Sequence, residues 1–428
     1  MKGVAARLVG RIYALVFGEK MSGEAKDFTK NLGIVSIGYG VSLVLGFVFQ
    51  VLLGRVLGPD QYGRFSLVNS VALFLYIPMS LGLSTALTKY NAEQTSDGER
   101  KKYISSAILI FFAASLVSIL LYIAFREGFL RIFNVPSLVF YLAIAYAFLY
   151  TLDSLTKGGL RSLNMFKQLS YLYALYGIAG LVGLLILIQF NLISFTSAIY
   201  TVFAAFGIVI IGSFINLRRY FSPTSFSPPF AKNLLMYGAA GILGGIASTF
   251  LVQTGKLLIN GYLTVGEVGI YSAYYASSIN IAFILNAVFI SVFFPTAAKF
   301  STRQPIFSKI KRLSPFLYGT VIPGLFIVQL IILKIYGASY PIELPLILAF
   351  SVAGALIIHY TLYIWTFASE GLRGIRTSNL ITVFIAGINL LFGFLLIPRL
   401  HIMGAVLAFI LAYAVGVMIS TIMKNRFA

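Results

Sequence analysis

Long apolar segments follow one another along this chain, and short breaks that contain Gly, Pro or charged residues separate them. A helix needs about 20 consecutive apolar residues to cross the hydrocarbon core of a bilayer. The apolar runs and their breaks predict about twelve such spans. The predicted spans are residues 31–57, 62–89, 103–125, 137–157, 168–189, 195–217, 233–262, 267–295, 313–333, 344–368, 377–397 and 402–423. We therefore expect an all-α polytopic membrane protein.

The composition supports this interpretation. Of 428 residues, 59% are apolar and 10% are charged, and the mean hydropathy is +0.93. Soluble domains carry roughly 25% charged and 45–50% apolar residues, and disordered chains carry still fewer apolar ones, so both classes are excluded. A porin-like barrel is disfavoured, because its strands alternate apolar and polar residues.

Cysteine is absent and there are two histidines, His359 and His401. This excludes disulfides, thiolate chemistry and Cys-based or His-rich metal sites, and nothing in the sequence calls for a cofactor. Residues 1–20 lack the continuous apolar core of a cleavable signal peptide. We expect the first span, which begins near Asn31, to stay in the membrane.

The basic residues are distributed unequally between the two sides of the predicted membrane topology. One side receives 25 Lys and Arg residues and the other receives 7. This asymmetry over short loops predicts that both termini are cytoplasmic. The net charge of +20 then reflects a surface facing anionic lipids and requires no nucleic acid. Residues 1–18 read as an interfacial amphipathic helix, and a disordered basic tail is the alternative.

The two halves of the chain share weak sequence matches. The segment from Leu57 to Ser66 corresponds to the segment from Leu263 to Ser272 at an offset of 206, with Gly63 opposite Gly269. These matches predict two pseudo-symmetric six-helix lobes around a central cavity, related by an axis along the membrane normal. The predicted units are an N-terminal amphipathic or basic segment (1–30), an N-terminal lobe (31–217), a linker (218–232) and a C-terminal lobe (233–428).

Two cations near the predicted outer interface are candidates for substrate binding. Lys256 lies six residues before Tyr262, which places it about 9 Å inside that interface. In a cavity it could bind a pyrophosphate or an acidic sugar, and the alternative is a lysine that snorkels outward. Arg55 is open to the same two interpretations, because it lies only three residues from Gly58.

Lys89 and Lys299 occupy matching positions at the inner ends of spans 2 and 8. They could capture a diphosphate headgroup at a cytoplasmic mouth. The alternative is ordinary anchoring of helix ends at the cytoplasmic interface.

Asp153 and His359 are the candidates for ion or proton coupling. Asp153 is the acidic residue that falls within a predicted span, and it lies four residues before Lys157, a spacing that also favours a helical salt bridge. His359 is placed near mid-membrane, about 18 Å from the inner end. It could titrate during transport, or it could be a neutral histidine bonded to a neighbouring Tyr or Ser.

The sequence resembles one membrane transporter family through most of residues 30–420. The segment Phe47–Ser66 (FVFQVLLGRVLGPDQYGRFS) resembles the first-span signature of O-antigen-type polysaccharide flippases, in the multidrug/oligosaccharidyl-lipid/polysaccharide exporter superfamily. Val268–Ser272, with Phe294 and Pro295 beyond it, resembles the signature of spans 7 and 8. Leu396–Arg399 and the following Gly404 and Ala405 resemble the last turn.

This resemblance implies a protein that moves a polyprenyl-linked oligosaccharide from the inner to the outer leaflet of the cell membrane. The chain departs from the family at Gly255, where members often carry an acidic residue before the basic one. That departure puts carboxylate-based coupling in span 7 in doubt. The fourteen spans of the peptidoglycan-precursor branch are not expected here.

Two other functions remain open at this stage. A cation-coupled multidrug exporter of the same superfamily needs cavity carboxylates, for which Asp153 is the candidate. A membrane-embedded glycan ligase or polymerase needs paired acid–base residues near the outer face, and no pair has a motif spacing. We expect a non-enzymatic, monomeric transporter whose partners are a polyprenyl-linked oligosaccharide, membrane lipids and other glycan-assembly membrane proteins.

Overall fold

The computed structural model describes residues 23–286 and 304–424, with side chains from residue 38 onward except at 240, 305 and 372. Within these ranges the regular elements are all helical, which confirms the all-α prediction. The α-helices are α1 (Gly23–Ser80), α2 (Leu83–Ala92), α3 (Asp97–Ala124), α4 (Arg126–Phe133), α5 (Ser137–Ser162), α6 (Phe166–Gln189), α7 (Phe195–Leu217), α8 (Pro228–Tyr262), α9 (Val265–Tyr275), α10 (Gln304–Tyr336), α11 (Leu344–Ala368) and α12 (Leu372–Met423). The amphipathic helix predicted for residues 1–18 lies outside the described residues.

Ten helical stretches of the described chain are long and apolar enough to cross a membrane. Two of them are interrupted, α1 at Gly58 and α12 at His401, and each piece is long enough for a span. Counting these pieces separately gives twelve segments, which is consistent with the prediction. The chain is therefore a multi-pass membrane protein.

The break in α1 is built into the local sequence. Gly58 has φ 70° and ψ 173°, a conformation that a residue with a Cβ atom adopts only under strain. Pro59 follows it and disfavours a helical conformation for the preceding residue. The chain therefore turns sharply at this point, between the first two predicted spans.

Two local elements lie where the sequence predicted connections. Helix α4 (Arg126–Phe133) occupies a segment that was predicted to be a loop. The prediction missed it because its charged residues interrupt the apolar run that marks a span. Its Phe133 is buried and contacts Phe129 and Phe74. Helix α8 begins at Pro228, inside the predicted linker, since proline is favoured in the first helical turn.

The outward faces of many helices are apolar and exposed. On α3 the exposed side chains include Leu116, Val117 and Leu120, and on α7 they include Ile211 and Ile215. A water-soluble protein rarely exposes such continuous apolar surfaces. They are the surfaces that acyl chains would cover in a bilayer.

The segment after Gly58 packs against the start of α9, and the contact is reciprocal. A Cβ atom on Gly63 would collide with the carbonyl oxygen of Val265, and a Cβ atom on Gly269 would collide with the carbonyl oxygen of Pro59. Both pairs are related by the same offset of 206 residues. Such an exchange of equivalent contacts is the pattern expected of an interface with two-fold symmetry, and small residues permit the close approach of the backbones.

Residues that follow Gly58 in the first half of the chain also contact α8 at two separate places. Ser70 donates a hydrogen bond to the side-chain oxygen of Gln253 at 2.8 Å. Farther from the Gly58 turn, a Cβ atom on Gly238 would collide with the carbonyl oxygen of Leu81. Of these residues, Gln253 also lines a cavity between the two halves of the chain.

Candidate functional site

A cavity of about 250 Å³ lies between residues of the first half of the chain and helices α8 and α9. We call it the lysine cavity, because Lys256 lines it. Its polar lining residues are Gln50, Tyr62, Ser66, Asn69, Tyr146, Tyr176, Gln253, Lys256, Ser272, Tyr275 and Asn280. The structure thus places Lys256, predicted as a cavity cation, at a cavity between the two sequence halves.

Lys256 is a cation without an anionic partner in the described part of the chain. No carboxylate of the described residues lies within ion-pair distance of its ammonium group. Its Nζ atom lies 5.3 Å from the ring centroid of Tyr275, within the range of a cation–π contact. A buried charge without a partner is energetically costly. An anion supplied by a ligand would therefore stabilise the Lys256 ammonium group.

The neighbouring Gly255 has a packing reason to lack a side chain. A Cβ atom at this position would lie 2.7 Å from the hydroxyl oxygen of Tyr271. A carboxylate beside Lys256 would therefore require Tyr271 to move. The departure from the family pattern at Gly255 coincides with this tight contact.

A second cavity, of about 410 Å³, adjoins the first. We call it the tyrosine cavity, because five tyrosines line it together with an ion pair. Its polar lining residues are Tyr39, Ser42, Gln50, Tyr146, Tyr150, Asp153, Lys157, Tyr173, Tyr176 and Asn280. Gly46, Gln50, Tyr146, Tyr176 and Asn280 line both cavities.

Asp153 and Lys157 form the predicted helical salt bridge. The Lys157 Nζ atom donates to Asp153 Oδ2 at 2.7 Å, and both side chains are buried. The ammonium group also lies 4.7 Å from the ring centroid of Tyr173 and 5.4 Å from that of Tyr176. This confirms the ion pair, and it places the coupling candidate Asp153 at a cavity with its charge balanced.

The two halves of the chain meet again where the cavities join. Asn280 donates a hydrogen bond to the side-chain oxygen of Gln50 at 3.2 Å. Asn280 closes a π-helical turn (Ala276–Asn280) that follows α9. Such turns interrupt regular helices and often occur at functional sites.

Arg55 lies elsewhere in this conformation. Its guanidinium group is exposed and donates a hydrogen bond to the carbonyl oxygen of Ile335 at 3.0 Å, near the end of α10. It is absent from the lining of both cavities. A cation that bonds a carbonyl at a helix C-terminus stabilises that helix end.

Lys89 is exposed at the end of α2, next to α8. Its Nζ atom lies 4.5 Å from the ring centroid of Tyr237 and 5.1 Å from that of Tyr90. It therefore contacts both sequence halves. Its counterpart Lys299 lies outside the described residues.

His359 is buried between α10 and α11. Its Nδ1 atom and the hydroxyl group of Tyr318 share a hydrogen bond of 2.7 Å, which confirms the predicted bond to a neighbouring tyrosine. His359 lines neither cavity. Among the described residues no cluster of three metal-ligating side chains occurs.

The tyrosine cavity is the part of the site that sequence reasoning missed. Tyr146, Tyr150, Asp153 and Lys157 recur at intervals of three and four residues, so they share one face of α5. The sequence signal that could have identified these residues is this periodicity, which gives an apolar helix one polar face. Which helices face it depends on how α1 and α6 pack, and that information is not local.

Comparison with known proteins identifies the family of this chain. A family model described as polysaccharide biosynthesis protein matches residues 28–301. The probable low-salt glycan biosynthesis flippase Agl15 of Haloferax volcanii is 25% identical over 390 residues, which are 87% of this chain and 78% of that protein.

The succinoglycan biosynthesis transport protein ExoT of Rhizobium meliloti is 23% identical over 287 residues, which are 64% of this chain. The alignment spans about half of that relative, 54% of its length.

Solved structures establish the fold. An inward-facing multidrug resistance MATE family transporter of the MOP superfamily matches with a TM-score of 0.66 at 13% identity, covering 92% of this chain and 94% of that one. A MOP superfamily transporter from Pyrococcus furiosus, described as having a binding pocket of reverse polarity, matches with a TM-score of 0.59 at 14% identity, covering 93% and 95%. The helices therefore adopt a MATE-like transporter fold.

Proposed function

This chain belongs to the polysaccharide biosynthesis protein family, and we propose that it flips a polyprenyl-(di)phosphate-linked oligosaccharide across the cell membrane. The substrate would bind between the two lobes (31–217 and 233–428), and rocking of the lobes would expose it to either side in turn. The names of the relatives Agl15 and ExoT support a glycan transporter. The MATE-like fold supports alternating access.

The observation that carries the proposal is the charge of the lysine cavity. Lys256 has no carboxylate partner among the described residues, so the cavity attracts an anion. A diphosphate or an acidic sugar supplies that anion. We assign Lys256 to substrate binding on this basis and keep Lys89 and Lys299 as proposed capture residues at a cytoplasmic mouth.

The runner-up function is a cation-coupled multidrug exporter. It needs an available carboxylate in the cavity to bind cationic drugs or coupling ions. Asp153 is the carboxylate that lines these cavities in the described structure, and Lys157 neutralises it. The charge balance therefore favours an anionic substrate over a cationic one.

Further aspects of the proposal rest on the sequence. The 25:7 distribution of basic residues supports cytoplasmic termini. The short connections leave no room for an external catalytic domain, which supports transport without covalent chemistry. A monomer fits a transporter whose cavity lies within one chain.

The proposal predicts that loss of the gene traps the substrate on the cytoplasmic side. In a deletion host, mass spectrometry of the lipid fraction should find a complete lipid-linked glycan accumulating while the surface polymer is lost. Wild type should reverse both effects. Lys256→Ala should restore transport at a rate reduced roughly tenfold or more, since a charge-assisted hydrogen bond contributes about 1.5–3 kcal/mol.

Lys334→Ala is the matched control, because Lys334 is exposed and lies outside both cavities. It should restore transport fully at equal abundance in the membrane. Full transport by Lys256→Ala would remove Lys256 from the site. No accumulation, together with new sensitivity to cationic drugs, would contradict the flippase and favour the exporter.

A further inference from the structure

The tyrosine cavity differs in chemistry from the lysine cavity it adjoins. Its charged residues, Asp153 and Lys157, form a pair with no net charge, whereas Lys256 in the neighbouring cavity lacks such a partner among the described residues. A phosphate would meet the Asp153 carboxylate beside the Lys157 ammonium and gain little. The two cavities therefore suit different parts of a ligand.

Four of the five tyrosine hydroxyl groups around this cavity have no hydrogen-bond partner among the described residues, whereas that of Tyr146 accepts from Asn69. In the described part of the chain, no hydrogen bond involves the hydroxyl groups of Tyr39, Tyr150, Tyr173 or Tyr176. Tyr39 is exposed, but Tyr150, Tyr173 and Tyr176 are half-buried, and tyrosines in such positions usually find a partner for this group. Several hydroxyl groups around one open space thus offer donors and acceptors to a polar ligand.

The aromatic rings of the tyrosines that line this cavity also suit a sugar ligand. Tyr146 and Tyr150 stack on each other along α5, and Tyr173 meets Tyr39 edge to face. A sugar ring carries hydroxyl groups that both donate and accept, and its polarised C–H groups suit the negative face of an aromatic ring. The volume of about 410 Å³ lies within the roughly 300–1,000 Å³ typical of small-molecule sites.

We propose that the tyrosine cavity is a subsite for uncharged sugar residues, joined through Gln50 and Asn280 to the anion-binding lysine cavity. The inference rests on the proposed function, because it divides the same lipid-linked glycan between two subsites. The anion lies at Lys256, and neighbouring uncharged sugars lie among Tyr150, Tyr173 and Tyr176. Asp153 and Lys157 present an acceptor and a donor to sugar hydroxyl groups.

The test compares three probes on the purified full-length protein in lipid nanodiscs. They are a polyprenyl diphosphate without sugar, the lipid-linked glycan extracted from the deletion host, and the free oligosaccharide released from that lipid by mild acid. Binding is measured by calorimetry for wild type, Tyr150→Phe, Tyr173→Phe, Tyr150→Ala and, as the variant of the anion subsite, Lys256→Ala. Tyr171→Ala is the matched control, because Tyr171 lies on α6 beside Tyr173 but is 74% exposed and lines neither cavity.

We expect the glycan to increase affinity over the bare polyprenyl diphosphate in wild type. Tyr150→Ala should weaken binding of the lipid-linked glycan by roughly five- to tenfold, the equivalent of one lost aromatic contact. The phenylalanine variants should show smaller losses. All these tyrosine variants should bind the bare polyprenyl diphosphate within about twofold of wild type, and Tyr171→Ala should match wild type with every probe.

Each contrary result has a distinct meaning. Tyrosine variants that bind the lipid-linked glycan as wild type does, while Lys256→Ala weakens it, would overturn the sugar subsite and leave the flippase intact. Equal losses for all probes would also overturn it, by showing a structural role for the tyrosines. Failure of the wild-type protein to bind the lipid-linked glycan would contradict the proposed function itself.

Discussion

At the scale of single residues, the site contrasts two lysines that line adjoining cavities. Lys157 has Asp153 one helical turn before it, and the two form an ion pair. Lys256 has Val252 and Asn260 at the corresponding positions, so its helix supplies no carboxylate. The sequence of each helix therefore determines whether its lysine has a carboxylate one helical turn away.

The ion pair leads to a prediction about stability. Asp153→Asn leaves the buried Lys157 ammonium without its partner, and removing one member of a buried pair costs about 3–5 kcal/mol. Because this pair borders a cavity, we expect a loss at the lower end of that range. Thermal unfolding of the purified protein should show a clear decrease in Tm for the single variant.

The single variant Lys157→Met and the double variant Asp153→Asn with Lys157→Met complete a double-mutant cycle. The double variant is the informative one. It should recover much of the lost stability, since no unpaired charge remains. Tm losses that simply add in the double variant would show that the two side chains are not coupled.

At the scale of elements, the segments around residues 58–63 and 263–269 pack against each other at one end of the spans they connect. Gly63 and Gly269 let each segment rest on the backbone of the other. The second segment is fixed by a capping box, in which Thr264 accepts from the Glu267 backbone and Glu267 accepts from the Thr264 backbone. Because these contacts join the two halves, they must separate if this end opens during transport.

Adding one methyl group to the contact between the segments 58–63 and 263–269 should push the two segments apart. In Gly63→Ala or Gly269→Ala the new Cβ atom collides with a carbonyl oxygen, so the segments must move apart. The natural chain has no cysteine, so an introduced pair, Asp60→Cys with Gly266→Cys, reports their separation without background. A Cβ atom at Gly266 would lie 3.6 Å from Asp60 Cγ, close to where the sulfur of a cysteine at position 60 would lie, so we expect the two sulfur atoms to come within bonding reach.

We expect rapid oxidation of this cysteine pair in the otherwise natural chain and a lower yield after either alanine substitution. Gly261→Ala is the control, because a Cβ atom there meets nothing within 4 Å. Cross-linking that is unchanged by Gly63→Ala and Gly269→Ala would show that the contact does not hold this end closed.

At the scale of the whole molecule, the sequence predicts the fold better than it predicts the site. Apolar runs determine where helices form. In lipid the backbone N–H and C=O groups of a span find no outside partner, so they must pair with each other within the helix. The position of Lys256, six residues before the end of α8 at Tyr262, follows from the sequence alone. The exposed position of Arg55 and the convergence of Tyr39, Tyr150 and Tyr173 depend on packing between helices far apart in sequence, which local patterns do not encode.

The most direct test of the account is a flipping assay with purified protein in proteoliposomes. A fluorescent lipid-linked glycan is placed in both leaflets, and a membrane-impermeant quencher reports how fast the inner-leaflet pool becomes accessible. We predict rapid exchange with wild type, and exchange at least about tenfold slower with Lys256→Ala, the loss of one charge-assisted contact. Wild-type vesicles that exchange no faster than protein-free vesicles, or a Lys256→Ala protein as fast as wild type, would contradict it.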